Sequence, residues 1–157
     1  MTIDGRKCIS DMRDLNAAIR NNATQAFRAA LDAAELDAKS TTLYRDRSGI
    51  GNTNEQTTGL RANTKADTSQ VAELKGTVGA YTKYAVYVEN GTVPHRIEPR
   101  NASALRFVSN GQVRFSAGVN HPGTAERPFM NHARNVGEQT LEYGLEYYVD
   151  AAIKRAG

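Results

Sequence analysis

Tryptophan is absent from this chain, and cysteine occurs once, at Cys8. One cysteine excludes an internal disulfide framework. No partner base lies near Cys8 in sequence, so it reads as a small, half-packed residue near the start and not as a reactive thiol. No stretch approaches the roughly 18–20 apolar residues needed to span a membrane. The opening Met1-Thr2-Ile3-Asp4-Gly5 has no apolar run of the secretory kind. The expectation is a soluble protein, made and used in a reducing setting. Neither sign of charge dominates, with a net +3 over 157 residues. A nucleic-acid footprint gathers its basic groups on one element. Here Arg96, Arg100, Arg106, Arg114 and Arg127 are scattered, which reads as solvated surface charge.

The length suits one domain and is short for two. Hydrophobic content is 39% and mean hydropathy is -0.57, with apolar positions clustered at both ends and in the 71–119 region. The implied core is modest, so neighbouring subunits are expected to supply part of the stability. Over residues 10–39, Met12, Leu15, Ile19, Ala23, Ala26, Phe27, Ala30, Leu31 and Ala34 recur at three- and four-residue steps. That spacing predicts a long amphipathic helix. Ser10 or Asp11 would cap it, and Asp14 would sit at the positive end of its dipole. Its alanines permit another helix to approach closely.

From 45 to 70 the periodicity collapses, leaving Ile50, Leu60, Ala62 and Ala66 among Thr, Asn, Ser, Gly and charge. A long polar loop inside a small domain is commonly functional or disordered. It reads either as an arm that orders against a partner or as a surface loop. Thr58-Gly59-Leu60-Arg61 suits a short helical turn within it. Residues 71–80 alternate, with Ala72, Leu74, Val78 and Ala80 opposite Glu73, Lys75 and Thr77, predicting a half-buried strand.

Residues 84–89 predict a short helix, stopped at Asn90-Gly91 by glycine's tolerance of the left-handed region. Around Asn110-Gly111 two hairpin registers compete. A two-residue turn pairs Val108 with Val113 and leaves both faces mixed. A three-residue turn with Gly111 as bulge residue puts Leu105, Phe107, Val113, Phe115 and Ala117 on one face. The second register makes the cleaner amphipathic ribbon and is the one expected. His121-Pro122-Gly123-Thr124 suits a type II turn, and Pro128 the first position of a closing helix. Phe129, Ala133, Val136, Thr140, Leu141, Leu145, Tyr148, Val149, Ala152 and Ile153 trace that helix's apolar side. The fold class is α+β: a long N-terminal helix, a small antiparallel β-sheet with a short helix, and a long C-terminal helix, in a single domain.

Sites for chemistry are sparse. His95, His121 and His132 are 26 and 11 residues apart, without the close His or Cys pairs of zinc sites. His95 and His121 flank the sheet and are able to approach each other, yet each precedes a turn where imidazole bonds backbone. There is no Gly-x-Ser-x-Gly elbow. Gly49-Ile50-Gly51 leads to Asn-Thr-Asn, not to a phosphate loop's Gly-Lys-Ser/Thr. Tyr143, Tyr147 and Tyr148 on the closing helix read as packing or interface residues. No enzyme, metal or cofactor is expected.

The ordered series Tyr84-Ala85-Val86-Tyr87-Val88-Glu89-Asn90-Gly91-Thr92, His95-x-Ile97-x-Pro99, Ala104-Leu105-x-Phe107, His121-Pro122-Gly123-Thr124 and Arg127-Pro128-Phe129-Met130-x-x-Ala133 resembles the neck, or tail-completion (head–tail joining), proteins of long-tailed bacteriophages. The group is related to the lambda tail-completion protein. The weaker Thr58-Gly59-Leu60-Arg61 resembles that family's turn after the first helix. Together these motifs cover about half the chain in the expected order. The loop at 45–70 and the C-terminal helix are longer than in many relatives.

The resemblance implies a virion structural protein, assembled in the host cytoplasm. It implies a homo-oligomeric ring, a hexamer, between the head connector and the tail tube. Its implied partners are copies of itself, the adjoining head-closure, terminator or tube proteins, and DNA in the channel; no membrane is involved. Tyr84, Tyr87, Glu89, Gly91, His95, Pro99, Leu105, Phe107, Gly111, His121, Pro122, Gly123, Pro128 and Phe129 are then candidates for the rigid platform or interface. Arg45, Arg47, Ile50, Leu60 and Arg61 are candidates for an assembly arm. The competing readings are a basic nucleic-acid-binding module, a metal-dependent hydrolase using His95 and His121, and a tail-terminator or head-closure protein.

Overall fold

The computed structural model describes residues 5–44 and 59–156. Its elements are α1 (Gly5–Ser40), β1 (Thr64–Asp67), a 3-10 turn (Val71–Glu73), β2 (Thr77–Ala80), α2 (Ala85–Asn90), β3 (His95–Ile97), β4 (Leu105–Ser109), β5 (Gln112–Ser116), β6 (Val119–His121) and α3 (Phe129–Ala156). The class is α+β, with two long helices and small antiparallel sheets. The chain divides into two compact units, one running to Ala85 and resuming at Pro128, the other Val86–Arg127.

In the first unit α1 and α3 pack antiparallel. Asn22 donates from Nδ2 to the Tyr148 carbonyl at 2.8 Å, and His132 Nδ1 meets Asp37 Oδ2 at 2.8 Å. Ala26, Ala30, Ala34 and Ala38 are buried at four-residue steps, a seam of small side chains along α1. Opposite them lie Gly137 and Gly144. A Cβ added to Gly137 would sit 3.1 Å from Ala34 Cβ, and one added to Gly144 would sit 3.0 Å from Ala26 Cβ. Close backbone approach of the two helices is therefore written in alanine and glycine.

Helix α1 starts earlier than expected. Ser10, Asp11 and Asp14 lie in its interior and neither cap it nor meet its dipole. No glycine, proline or turn residue separates Arg6 from Ser10, so nothing there halts propagation of the helix. At the other end of the pair, the Pro128 carbonyl accepts from His132 N at 3.0 Å. Proline thus occupies the capping position of α3, one residue before the place expected.

Near the α1 C-terminus, Tyr44 packs edge-on against Phe129 with ring centroids 4.8 Å apart. Its hydroxyl donates to the Ala38 carbonyl at 2.9 Å. Leu31, Leu60, Thr64, Val71, Phe129 and Ala133 are also buried. Of the loop expected at 45–70, the described part, from Gly59 on, holds regular structure. Asn63 N donates to Gly59 O at 3.1 Å, closing a helical turn, and β1 follows directly. β1 pairs with β2 from Thr64↔Ala80 to Asp67↔Thr77. Glu35 ties this hairpin to α1, accepting from Ala66 N at 2.8 Å and pairing with Lys39. The bond from Lys39, then that from Ala66, holds the Glu35 carboxyl below its ordinary range.

The strand expected over 71–80 is a correction. Val71–Glu73 forms a 3-10 turn, Leu74 is left-handed at φ 56°, and extended pairing begins at Thr77. The alternation misled because Leu74, expected on the apolar side, is exposed, while Val71, in phase with Glu73, is the buried residue. A side chain at Gly76 would overlap Leu31, so the chain passes tightly over α1 there.

The second unit holds two separate two-stranded ladders, β3–β6 and β4–β5. The β4–β5 register is the second correction. Val108 pairs with Val113 and Ser109 with Gln112 across a two-residue turn. Asn110 at φ 53° and Gly111 at φ 75° both take positive φ, as a type I′ turn requires. The three-residue register assumed a buried face to reward amphipathic sorting. Phe107, Val108, Val113 and Phe115 are all exposed, so turn geometry decides instead.

Candidate assembly interface

The platform is built around two crossing segments. Helix α2 ends at Gly91, whose φ of 68° turns the chain out of the helix. The amide of Arg127 donates to the carbonyls of Val88 and Glu89 at 3.0 and 3.1 Å, satisfying two acceptors at that helix end. Thr92 and Thr124 then form an isolated bridge, exchanging backbone bonds of 3.0 and 3.1 Å. Their hydroxyls meet at 3.0 Å. Gly123, at φ 87°, lies against Thr92, where any Cβ would overlap the Thr92 carbonyl oxygen. A Cβ on Gly91 would come within 2.8 Å of Glu126 N. Both glycines serve close backbone approach as well as positive φ. Gly123's positive φ fits the type II turn expected after Pro122.

His95 and His121 come together as a register pair of β3 and β6, their rings stacked with centroids 5.1 Å apart. Each also holds a turn. His95 Nδ1 lies 2.9 Å from the Val93 carbonyl, which makes it the donor. Gly123 N donates to His121 Nδ1 at 3.1 Å, which leaves that nitrogen unprotonated and places the neutral ring's proton on Nε2. His132 is elsewhere, paired with Asp37 in the first unit. Among the described residues, no group of three or more His, Cys, Asp or Glu side chains is placed to hold a metal ion. Arg96 clasps the β3–β6 ladder, donating to Glu98 Oε1 at 2.9 Å and reaching Asn120 Oδ1 at 3.4 Å.

Residues 86–127 contain no buried side chain. Tyr87 is 60% exposed, Val93 78%, Val108 65% and Phe115 68%. Glu89, Pro99, Leu105 and His121 are half-buried. Tyr84, on the approach to α2, is also exposed. Backbone ladders and turn bonds shape this unit, and its apolar side chains face outward.

The candidate residues separate into distinct places. Gly91, His95, His121, Pro122 and Gly123 converge on the two crossing segments, and Gly111 turns the hairpin. Phe129 belongs to the core of the first unit, with no exposure. Leu60 is likewise core, at 1% exposure. Arg61 donates to the Thr41 carbonyl at 3.1 Å and lies over the Tyr44 ring, 5.7 Å from its centroid. Leu60 and Arg61 thus anchor the base of the segment expected to be an arm, while Arg45, Arg47 and Ile50 lie outside the described residues.

The expectations passed over Val108, Val113 and Phe115 as members of one open face with Arg106. The Asn110-Gly111 pair, the strongest local hairpin signal, was the clue. On α3, Tyr143 and Tyr147 are 74% and 64% exposed, and Tyr147 packs edge-on against Tyr148 at 5.3 Å. No helix among the described residues is long and apolar enough to cross a membrane. No family model matches this chain, and neither a curated protein nor a solved structure does.

Proposed function

We propose that this chain is a phage virion structural protein of the neck or tail-completion type. It assembles into a ring at the head–tail junction and joins the head connector to the tail tube. The carrying observation is the second unit. It presents tyrosine, valine and phenylalanine to solvent and buries none of its own side chains. A segment of that size cannot sustain itself on an internal core, and contacts with other chains are the usual remedy. Exposed apolar patches of this kind mark protein–protein surfaces.

The rest of the molecule supports the same reading. The α1–α3 pair meets along a closely packed seam of alanine and glycine. The crossing segments at Thr92 and Thr124 fix the second unit through backbone bonds and turns. Such construction suits a part whose product is geometry. The motif series in 84–130 supplies the phage setting.

Gold labelling of a tagged copy in purified virions tests the reading. Label is expected at the head–tail junction. Label on the capsid shell, or none in joined particles, would overturn it. Label at the distal face of the neck, against the tail tube, would move the assignment to tail termination.

A further inference from the structure

Among the described residues, one face of the β4–β5 hairpin is exposed. Register pairing puts Val108 beside Val113, and Arg106 beside Phe115, on that face. Val108, Val113 and Phe115 are 65%, 46% and 68% exposed. Arg106 has no acidic partner among the described residues, and neither does Arg114 on the opposite face. The hairpin is therefore an apolar patch edged with unpaired positive charge. The whole 86–127 unit has the same sign, with five arginines, no lysine or aspartate, and three glutamates.

The complementary surface is in the same sequence. The solvent face of α3 carries Glu142, Glu146 and Asp150 at four-residue steps, beside Tyr143 and Tyr147. These acidic groups are exposed and have no basic partner among the described residues, unlike Glu138, which is held by Arg134 at 2.8 Å. Tyr147 is steadied by its contact with Tyr148. The repeat distances also agree. Successive same-face pairs of a hairpin lie about 6.6 Å apart, and side chains four residues apart on a helix rise about 6 Å.

We propose that the open hairpin face, Arg106, Val108, Val113 and Phe115, docks on the exposed face of α3 in a second copy of this chain. Val108, Val113 and Phe115 pack on Tyr143 and Tyr147, and Arg106 faces Glu142 and Glu146. The inference rests on the assembly reading above and specifies its contact. Two different patches meet in such a contact, so each copy keeps one hairpin and one helix face to offer onward. Repetition closes a ring when the rotation allows it.

Sedimentation of the full-length chain over a concentration series tests this, with circular dichroism to confirm that each variant keeps its helices. F115A and Y147A are each expected to weaken association tenfold or more. R106E is expected to weaken it through repulsion, and R106E combined with E146R in one chain to restore it. Because the readout is association between chains, an Arg106–Glu146 pair formed within one chain would leave the sedimentation series unchanged. Y147A lies on the long helix, so it reports even where a hairpin variant is poorly folded. Association that ignores all four changes would overturn the proposed contact and leave a ring built from other faces standing. A chain that stays monomeric at every concentration would overturn both.

Discussion

Gly144 of α3 faces Ala26 of α1 so closely that a Cβ on the glycine would lie 3.0 Å from the alanine's own. Two effects of substitution oppose each other there. Replacing a helical glycine by alanine gains about 1 kcal/mol in propensity. Overfilling a packed seam costs about 1–3 kcal/mol. G144A is therefore expected to stay within about 1 kcal/mol of the parent, while G144L loses about 2–3 kcal/mol or more. Urea unfolding distinguishes them; a G144L chain as stable as the parent would mean that the helices do not meet at this seam.

The ring pair at the other end of the helices gives a graded series. Phe129 is fully buried against Tyr44, so F129A is expected to cost about 3–5 kcal/mol. Y44F keeps the ring and removes only the hydroxyl bond to the Ala38 carbonyl, for about 1 kcal/mol. Thermal unfolding of both variants checks the order. Equal losses would show that the hydroxyl, not the ring, dominates the Tyr44 contribution.

Glu35 makes stability depend on acid. Its carboxyl is held below the ordinary value of 4.5, chiefly by Lys39 and then by the Ala66 amide. Because the folded-state value is depressed, its contribution is present above the unfolded value and lost as pH falls through the folded one. E35Q is expected to cost about 1 kcal/mol at neutral pH, discounted for partial exposure. It is also expected to flatten part of the decline below about pH 4.5. Parallel pH–stability curves for parent and variant would refute the link between α1 and β1.

Gly111 and Gly123 separate backbone strain from collision. Both have positive φ, yet a Cβ at Gly111 meets nothing within 4 Å while one at Gly123 overlaps the Thr92 carbonyl. G111A is expected to cost about 1 kcal/mol from its left-handed backbone alone. G123A must also break the Thr92–Thr124 bridge. Hydrogen exchange should show lost protection at the Thr92 and Thr124 amides in G123A only. Matching exchange in both variants would remove the crossing segments from the account.

These glycines also show what was legible in sequence. The long helices were readable because their burial is one-sided: Ala26, Ala30 and Ala34 repeat at helical period and face another helix. The stops at Gly91 and Gly123 were readable because positive φ has few tenants. Strand β1 was hidden, since Thr64-Lys65-Ala66-Asp67 has one aliphatic side chain and is held by pairing to β2 and by Glu35. The hairpin register went astray for a different reason. Amphipathic sorting predicts pairing only when one face is buried within the chain, and Val108 and Phe115 face outward. That exposure is the observation from which the proposed docking of the hairpin face is argued.

Native mass spectrometry of the purified full-length chain, with negative-stain imaging of the same sample, tests the central claim most directly. One closed stoichiometry and annular particles are expected, with the mass constant over a range of concentration. A single-copy mass at every concentration, or open filaments of unlimited length, would contradict it.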